Sequence, residues 1–169
     1  MFILIVASLS LALYDNRKIA YTLGKEARLG STPSFSFVHR YIQASTIICT
    51  LGGSVFHDRI FLDMHDSTLI LYCGVGITTV GILLFVHSKM TLGRNYSPCF
   101  DSYLPHCLTT TGVYGYVRHP IYVSNLLLLL GAFIMSGSAW IIVNLFLAGA
   151  FYYSAAIQEE RDLCIHVDG

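Results

Sequence analysis

Charged residues make up only 12% of this 169-residue chain, about half the share usual in soluble domains. With 54% hydrophobic residues, a water-soluble domain of this size would lack the polar surface to cover itself, so the composition points to a membrane protein. Neither sign of charge is in excess, since ten basic residues face ten acidic ones. A basic face, the first requirement for nucleic-acid binding, is therefore missing. High apolar content at zero net charge also excludes a disordered chain. The five cysteines, Cys49, Cys73, Cys99, Cys107 and Cys164, contain no CxxC pair. Without that spacing neither a zinc site nor a disulfide framework is expected, and the thiols read as free. The length suits one domain, and no fixed-period repeat is visible.

What is abundant is apolar sequence in long runs. Phe2–Tyr14 opens the chain as a 13-residue apolar run with no basic segment before it; with no clear small-x-small cleavage site and a reach of only about 20 Å, it reads as a clipped transmembrane helix rather than a signal peptide. Phe35–Phe56 and Leu69–His87 follow as second and third spans. Ile121–Ile157 holds 37 residues without a formal charge, too long for one crossing of a core about 30 Å thick. The small residues Ser136-Gly137-Ser138-Ala139 near its middle supply a turn. Two antiparallel helices, Ile121–Met135 and Trp140–Ile157, are expected.

The expected fold class is thus all-α: a polytopic membrane protein of about five transmembrane helices ending in a helical hairpin. Residues 1–169 form one membrane-embedded domain, with three upstream spans in 1–87 and a polar loop, hairpin and tail in 88–169. Arg17, Lys18, Lys25, Arg28, Arg40, Lys89, Arg94, Arg118 and Arg161 then share one side, leaving only Arg59 opposite. By the excess of cations in cytoplasmic loops, that side is the cytoplasm.

The polar stretch from Thr91 to Tyr122 is long for a connection, and such loops usually serve a function. In Arg118-His119-Pro120-Ile121-Tyr122 the proline suits the first turn of a helix and pushes His119 out of helical geometry. His119 therefore falls near the helix cap, beside unpaired backbone N–H groups and the positive end of the helix dipole. Arg118 adds a planar fork of donors, so the corner suits a carboxylate or phosphate. An isolated arginine and tyrosine at a helix end would equally serve as interfacial anchors. The two arms of the hairpin are similar in length, however, and return Glu159 and Glu160 to the level of Arg118 and His119. Adjacent carboxylates directly after an uncharged span call for a partner. A cationic corner facing an acid pair suits a zwitterionic ligand. His39, His57, His65, His87 and His166 read as solvated residues near span ends or in polar segments. Trp140 reads as an interfacial or packing residue, and Asn144 as a hydrogen-bonding partner of a neighbouring helix.

Thr110-Thr111-Gly112-Val113-Tyr114, then Arg118-His119-Pro120-Ile121-Tyr122, a hydrophobic hairpin and Glu159-Glu160 with Leu163 resemble the isoprenylcysteine carboxyl methyltransferase family. That family consists of membrane-embedded enzymes that use S-adenosylmethionine. The resemblance covers Thr91 to Leu163 and implies that the loop and hairpin enclose the cofactor. It implies that His106, Cys107, Leu108 and Thr109 line it through main-chain groups, that Tyr114, His119 and Tyr122 contact it, and that Glu159 holds its ammonium or ribose. With Gly112 of the shared motif, and Arg118 and Glu160 of the facing charges, these residues make up the expected cofactor site. No residue is assigned to catalysis and no metal is expected.

The chain departs from the family at two places. Ser124-Asn125 stands where a glycine often follows the tyrosine, and Ala155 or Ala156 stands where the prenylcysteine enzymes carry a basic residue one turn before the acids. The expected activity is methylation of a lipid-like or amphiphilic acceptor, foremost carboxyl O-methylation of the isoprenylcysteine type. An ionised carboxylate needs no base, whereas an amine must first lose a proton. The expected setting is a multi-pass protein of the bacterial inner membrane or endoplasmic reticulum, with its cofactor site facing the cytoplasm. A phospholipid N-methyltransferase, an NADPH-dependent enzyme of the sterol-reductase kind and a non-catalytic membrane protein remain as alternatives.

Overall fold

A computed structural model describes residues 68–93 and 109–167, together with short pieces at 28–29, 41–42, 44–45, 48 and 102–103. The first span, Phe2–Tyr14, and most of the second, Phe35–Phe56, lie outside the described residues, as do His57 and His65. Chain order among the described elements is β1 (Arg28–Leu29), α1 (Thr68–Leu92), β2 (Ser102–Tyr103), a 3-10 turn at Gly112–Gly115, α2 (Pro120–Ser136) and α3 (Ala139–Val167). The two short strands pair antiparallel, Arg28 opposite Tyr103. The other elements among the described residues are helical.

Helix α1 contains the third apolar run and continues five residues past His87. Its 25 residues reach about 37 Å, enough to cross a bilayer. It ends at Gly93, whose φ of 50° is the left-handed geometry that closes helices. The expected hairpin is present. Helix α2 starts with proline at its first position and His119 as its cap. It stops at Gly137, with φ 64° and its N–H donating to the Phe133 carbonyl at 2.7 Å. Helix α3 then starts with the Ile141 N–H donating to the Ser138 carbonyl at 3.0 Å. The hairpin's second arm was expected to end at Ile157, but α3 runs on to Val167. Good helix formers in Gln158-Glu159-Glu160-Arg161, with no glycine or proline to stop them, carry the helix through the acid pair.

Helices α1 and α2 approach closely because small residues line their contact. Gly74, Thr78, Gly81 and Ser88 form the buried stripe of α1, spaced so that all lie on one face. On α2, Gly131 meets that stripe: a Cβ added there would collide with the Thr78 hydroxyl and sit 2.9 Å from the Gly74 carbonyl oxygen. A Cβ on Gly81 would lie 3.2 Å from the Ser124 carbonyl. Such backbone proximity is how membrane helices gain packing where water supplies no drive. The buried hydroxyls are satisfied within their own helices, Thr78 donating to the Gly74 carbonyl at 2.9 Å and Ser124 to that of Ile121 at 2.7 Å.

Helix α3 packs on another side of α2 through a cluster of Tyr122, Leu129, Ala148, Tyr152 and Ala155, which Ile42 also joins. Asn144, buried in α3, accepts a hydrogen bond from Ser45 at 3.2 Å, the neighbouring-helix role expected of it. Outward faces of α1 and α3 are apolar, with Tyr72, Leu83, Met90, Phe146 and Tyr153 all exposed. Thr68–Leu92 and Ala139–Arg161 are both long and apolar enough to cross a membrane, while Pro120–Ser136 is apolar but shorter. Exposed apolar faces of this extent fit contact with lipid. Trp140 lies exposed at the start of α3. Cys73 and Cys164 are free.

Candidate functional site

The polar loop reaches α2 through a turn fastened to the end of α1. Gly112 has φ 60°, a conformation costly for other residues. It also lies against Thr91, whose side chain would stand 3.2 Å from any Cβ placed there. The 3-10 turn over Gly112–Gly115 then closes with the Tyr114 N–H donating to the Thr111 carbonyl at 3.2 Å. From it the chain exposes Tyr116 and Arg118 before turning into Pro120.

At the first turn of α2 the His119 carbonyl accepts from the N–H groups of Tyr122 and Val123 at 3.1 and 3.2 Å. Its imidazole makes no cap hydrogen bond and faces α3 instead. One ring nitrogen, Nε2, lies 3.3 Å from Oε1 of Glu160, and Nδ1 lies 3.6 Å from Oε2 of Glu159. The Tyr122 hydroxyl donates to Glu159 Oε2 at 2.9 Å. The Arg118 Nη1 lies 3.5 Å from Glu160 Oε1. Each carboxylate therefore faces the imidazole and one further donor from the start of α2. Two acids in adjacent positions would repel each other; the donors of α2 offset that repulsion.

The outermost of these contacts, Arg118 to Glu160, is too exposed to be explained by stability. The Arg118 side chain is 82% exposed and that of Glu160 44%, and solvated ion pairs of this kind contribute little to folding. An open cluster of one guanidinium, one imidazole, one phenol and two carboxylates can instead trade its internal contacts for a charged ligand. A ligand with both an ammonium and a carboxylate would find counter-groups of each sign here.

Arg118, His119, Tyr122, Glu159 and Glu160 are thus brought together as the lengths of the two arms implied. Gly112 and Tyr114 lie in the turn before α2, Tyr114 half-buried, and Thr109 is half-buried where the described loop begins. His106, Cys107 and Leu108 lie outside the described residues. The acid pair was expected at a helix C-terminus. It sits seven residues before the end of α3, so the helix dipole does not oppose it strongly. Ala155, one of the two positions where a basic residue was looked for, is 1% exposed within the cluster that holds Tyr122. No unpaired cation fits such a place. Among the described residues no group of three His, Cys, Asp or Glu could hold a metal ion.

Sequence reading missed Tyr152. Its ring stacks on Tyr122 with centroids 5.0 Å apart and planes inclined by 15°. The signal was present in the spacing, since Ala148, Tyr152, Ala155 and Glu159 recur at helical intervals on one face.

Comparison with known proteins bears on the same segment. The family model described as phospholipid methyltransferase matches residues 69–166. Protein-S-isoprenylcysteine O-methyltransferase of Xenopus laevis is 24% identical over 162 residues, covering 95% of this chain and 56% of the relative. The chain thus spans little more than half the length of that curated relative. No solved structure matches.

Proposed function

The chain belongs to the phospholipid methyltransferase family, and on that premise we propose that it is a multi-pass membrane methyltransferase using S-adenosylmethionine. Its acceptor is lipid-like or amphiphilic, and the foremost reaction is carboxyl O-methylation of the isoprenylcysteine type, the chemistry in the name of the Xenopus relative. The carrying observation is the convergence of Arg118, His119 and Tyr122 on Glu159 and Glu160, all inside the matched segment. Five crossings in one domain, with this cluster on the cytoplasmic side, complete the proposal.

The residues fit the cofactor by charge. Glu159 and Glu160 would hold an ammonium group. Arg118, His119 and the N-terminal end of α2 would hold a carboxylate. Thr109, Gly112 and Tyr114 would border it from the loop, with His106, Cys107 and Leu108 continuing that border. S-adenosylmethionine, when bound, supplies an electrophilic methyl group on a sulfonium. The protein's share of the work is to orient the two reactants and exclude water. An ionised carboxylate acceptor fits this machinery, because it needs no proton removed before it attacks the methyl group.

A phospholipid amine as acceptor is the second reading, favoured by the buried Ala155 where the prenylcysteine enzymes are expected to have a cation for the substrate carboxylate. Purified protein in detergent should be offered methyl-labelled S-adenosylmethionine with an S-prenylated cysteine or with phosphatidylethanolamine. Label in the base-labile ester of the first supports the main reading. Label in the headgroup nitrogen of the second replaces it, and label in neither with either acceptor contradicts both.

A further inference from the structure

Tyr152 is 4% exposed, and the cofactor assignment above gives it no part. Its ring is the inner member of a column of three. Tyr122 stacks on it at 5.0 Å, and His119 stacks on Tyr122 at 5.3 Å with planes only 6° apart. Phe151, its neighbour in the chain, meets the Tyr152 ring edge-on at 5.6 Å and 61°. The column leads from the packed interior of the hairpin to the open ion cluster.

Tyr122 has two neighbours of different kinds on α3. Its ring rests on Tyr152, and its hydroxyl donates to Glu159 at 2.9 Å. Tyr152 and Glu159 are seven residues apart on the same face, about 10 Å along the axis. Ala155 lies between them with almost no side chain and is 1% exposed. Helix α3 therefore presents a ring, a small residue and a carboxylate in succession, and Tyr122 reaches across from α2. A tyrosine has two side-chain torsions, so a ring held by stacking leaves its hydroxyl little freedom.

We infer that Tyr152 is a positioning residue: its stacking on Tyr122 aims the Tyr122 hydroxyl at Glu159 and holds that carboxylate in one orientation for an ammonium ligand. The inference rests on the cofactor reading proposed above. A packing residue alone would affect folding; a positioning residue acts on ligand affinity and does so only through Tyr122.

The test is calorimetric titration of the detergent-purified protein with S-adenosylhomocysteine, which keeps the amino-acid group. Wild type, Tyr152→Phe, Tyr152→Leu, Tyr122→Phe and the Tyr122→Phe/Tyr152→Leu double variant are compared, with helicity and melting followed alongside. Tyr152→Phe keeps the ring and should bind within about twofold of wild type. Tyr152→Leu should weaken binding roughly 3- to 10-fold, the factor expected for a lost aromatic pair. In the Tyr122→Phe background, where no hydroxyl remains to aim, the same leucine substitution should change affinity by less than about twofold. A leucine effect that is absent, or equal in both backgrounds, overturns the positioning role. Where Tyr152→Leu does not fold, Tyr152→Met takes its place in the same cycle. Wild type that binds no S-adenosylhomocysteine defeats the cofactor reading itself, a result distinct from an additive cycle on a protein that binds.

Discussion

Replacing Gly131 by alanine tests the packing that holds α2, and with it His119 and Tyr122, in place. The added methyl would collide with the Thr78 hydroxyl while lying 2.9 Å from the Gly74 carbonyl oxygen and 3.0 Å from the Thr78 amide nitrogen. The hydroxyl can rotate away, but two of the three obstacles are backbone, so α1 and α2 must separate. Overpacking of this kind costs about 1–3 kcal/mol, while exchange of glycine for alanine inside a helix returns about 0.5–1 kcal/mol. The net expectation is a destabilisation of up to about 2.5 kcal/mol, centred on about 1 kcal/mol. Gly76 on α1 is the matched control, because a Cβ there meets nothing within 4 Å; Gly76→Ala should be neutral or stabilising by up to about 1 kcal/mol. Unfolding followed by helical circular dichroism in mixed micelles of rising denaturing detergent measures both. Equal midpoints for the two variants would refute the close approach of α1 and α2 at Thr78.

Glu159→Gln keeps shape but removes the charge that faces Tyr122 and His119; affinity for S-adenosylhomocysteine should fall about 10-fold or more. Arg118→Ala should leave the melting temperature unchanged, because the side chain is 82% exposed, yet weaken the same binding by about 10-fold. A drop in melting temperature with normal affinity would make Arg118 a structural anchor. Ser45→Ala and Asn144→Ala, combined in a double-mutant cycle of detergent unfolding, should show a coupling of about 0.6 kcal/mol, the usual size for a hydrogen bond between membrane helices. Strict additivity would contradict the contact between this segment and α3.

The sequence made the hairpin and its polar corner legible because each has a local cause. Proline after His119 starts α2, and glycine at 137 stops it. The distance from Pro120 to the turn and back is then arithmetic, and it brings Glu159 and Glu160 level with Arg118. Three features were not legible. The extension of α1 past His87 and of α3 past Ile157 follows from helix continuing through polar residues, which an apolar run does not report. The stripe of Gly74, Thr78 and Gly81 is visible as small residues, but only the fold shows that Gly131 lies against it. Helical spacing places Tyr152 on the face of Glu159, but it does not report which residue of α2 the ring meets. Its stacking on Tyr122 is a contact across 30 positions, set by how α2 and α3 dock rather than by either segment alone. Ala155, 1% exposed in the cluster that also holds Tyr122, leaves no place there for the cation sought.

The most direct measurement is calorimetry of the purified protein against S-adenosylhomocysteine and, separately, NADPH, with Glu159→Gln run in parallel. The account predicts saturable one-site binding of S-adenosylhomocysteine that the substitution weakens, and none of NADPH. Binding of NADPH alone, or S-adenosylhomocysteine affinity unmoved by Glu159→Gln, would contradict it.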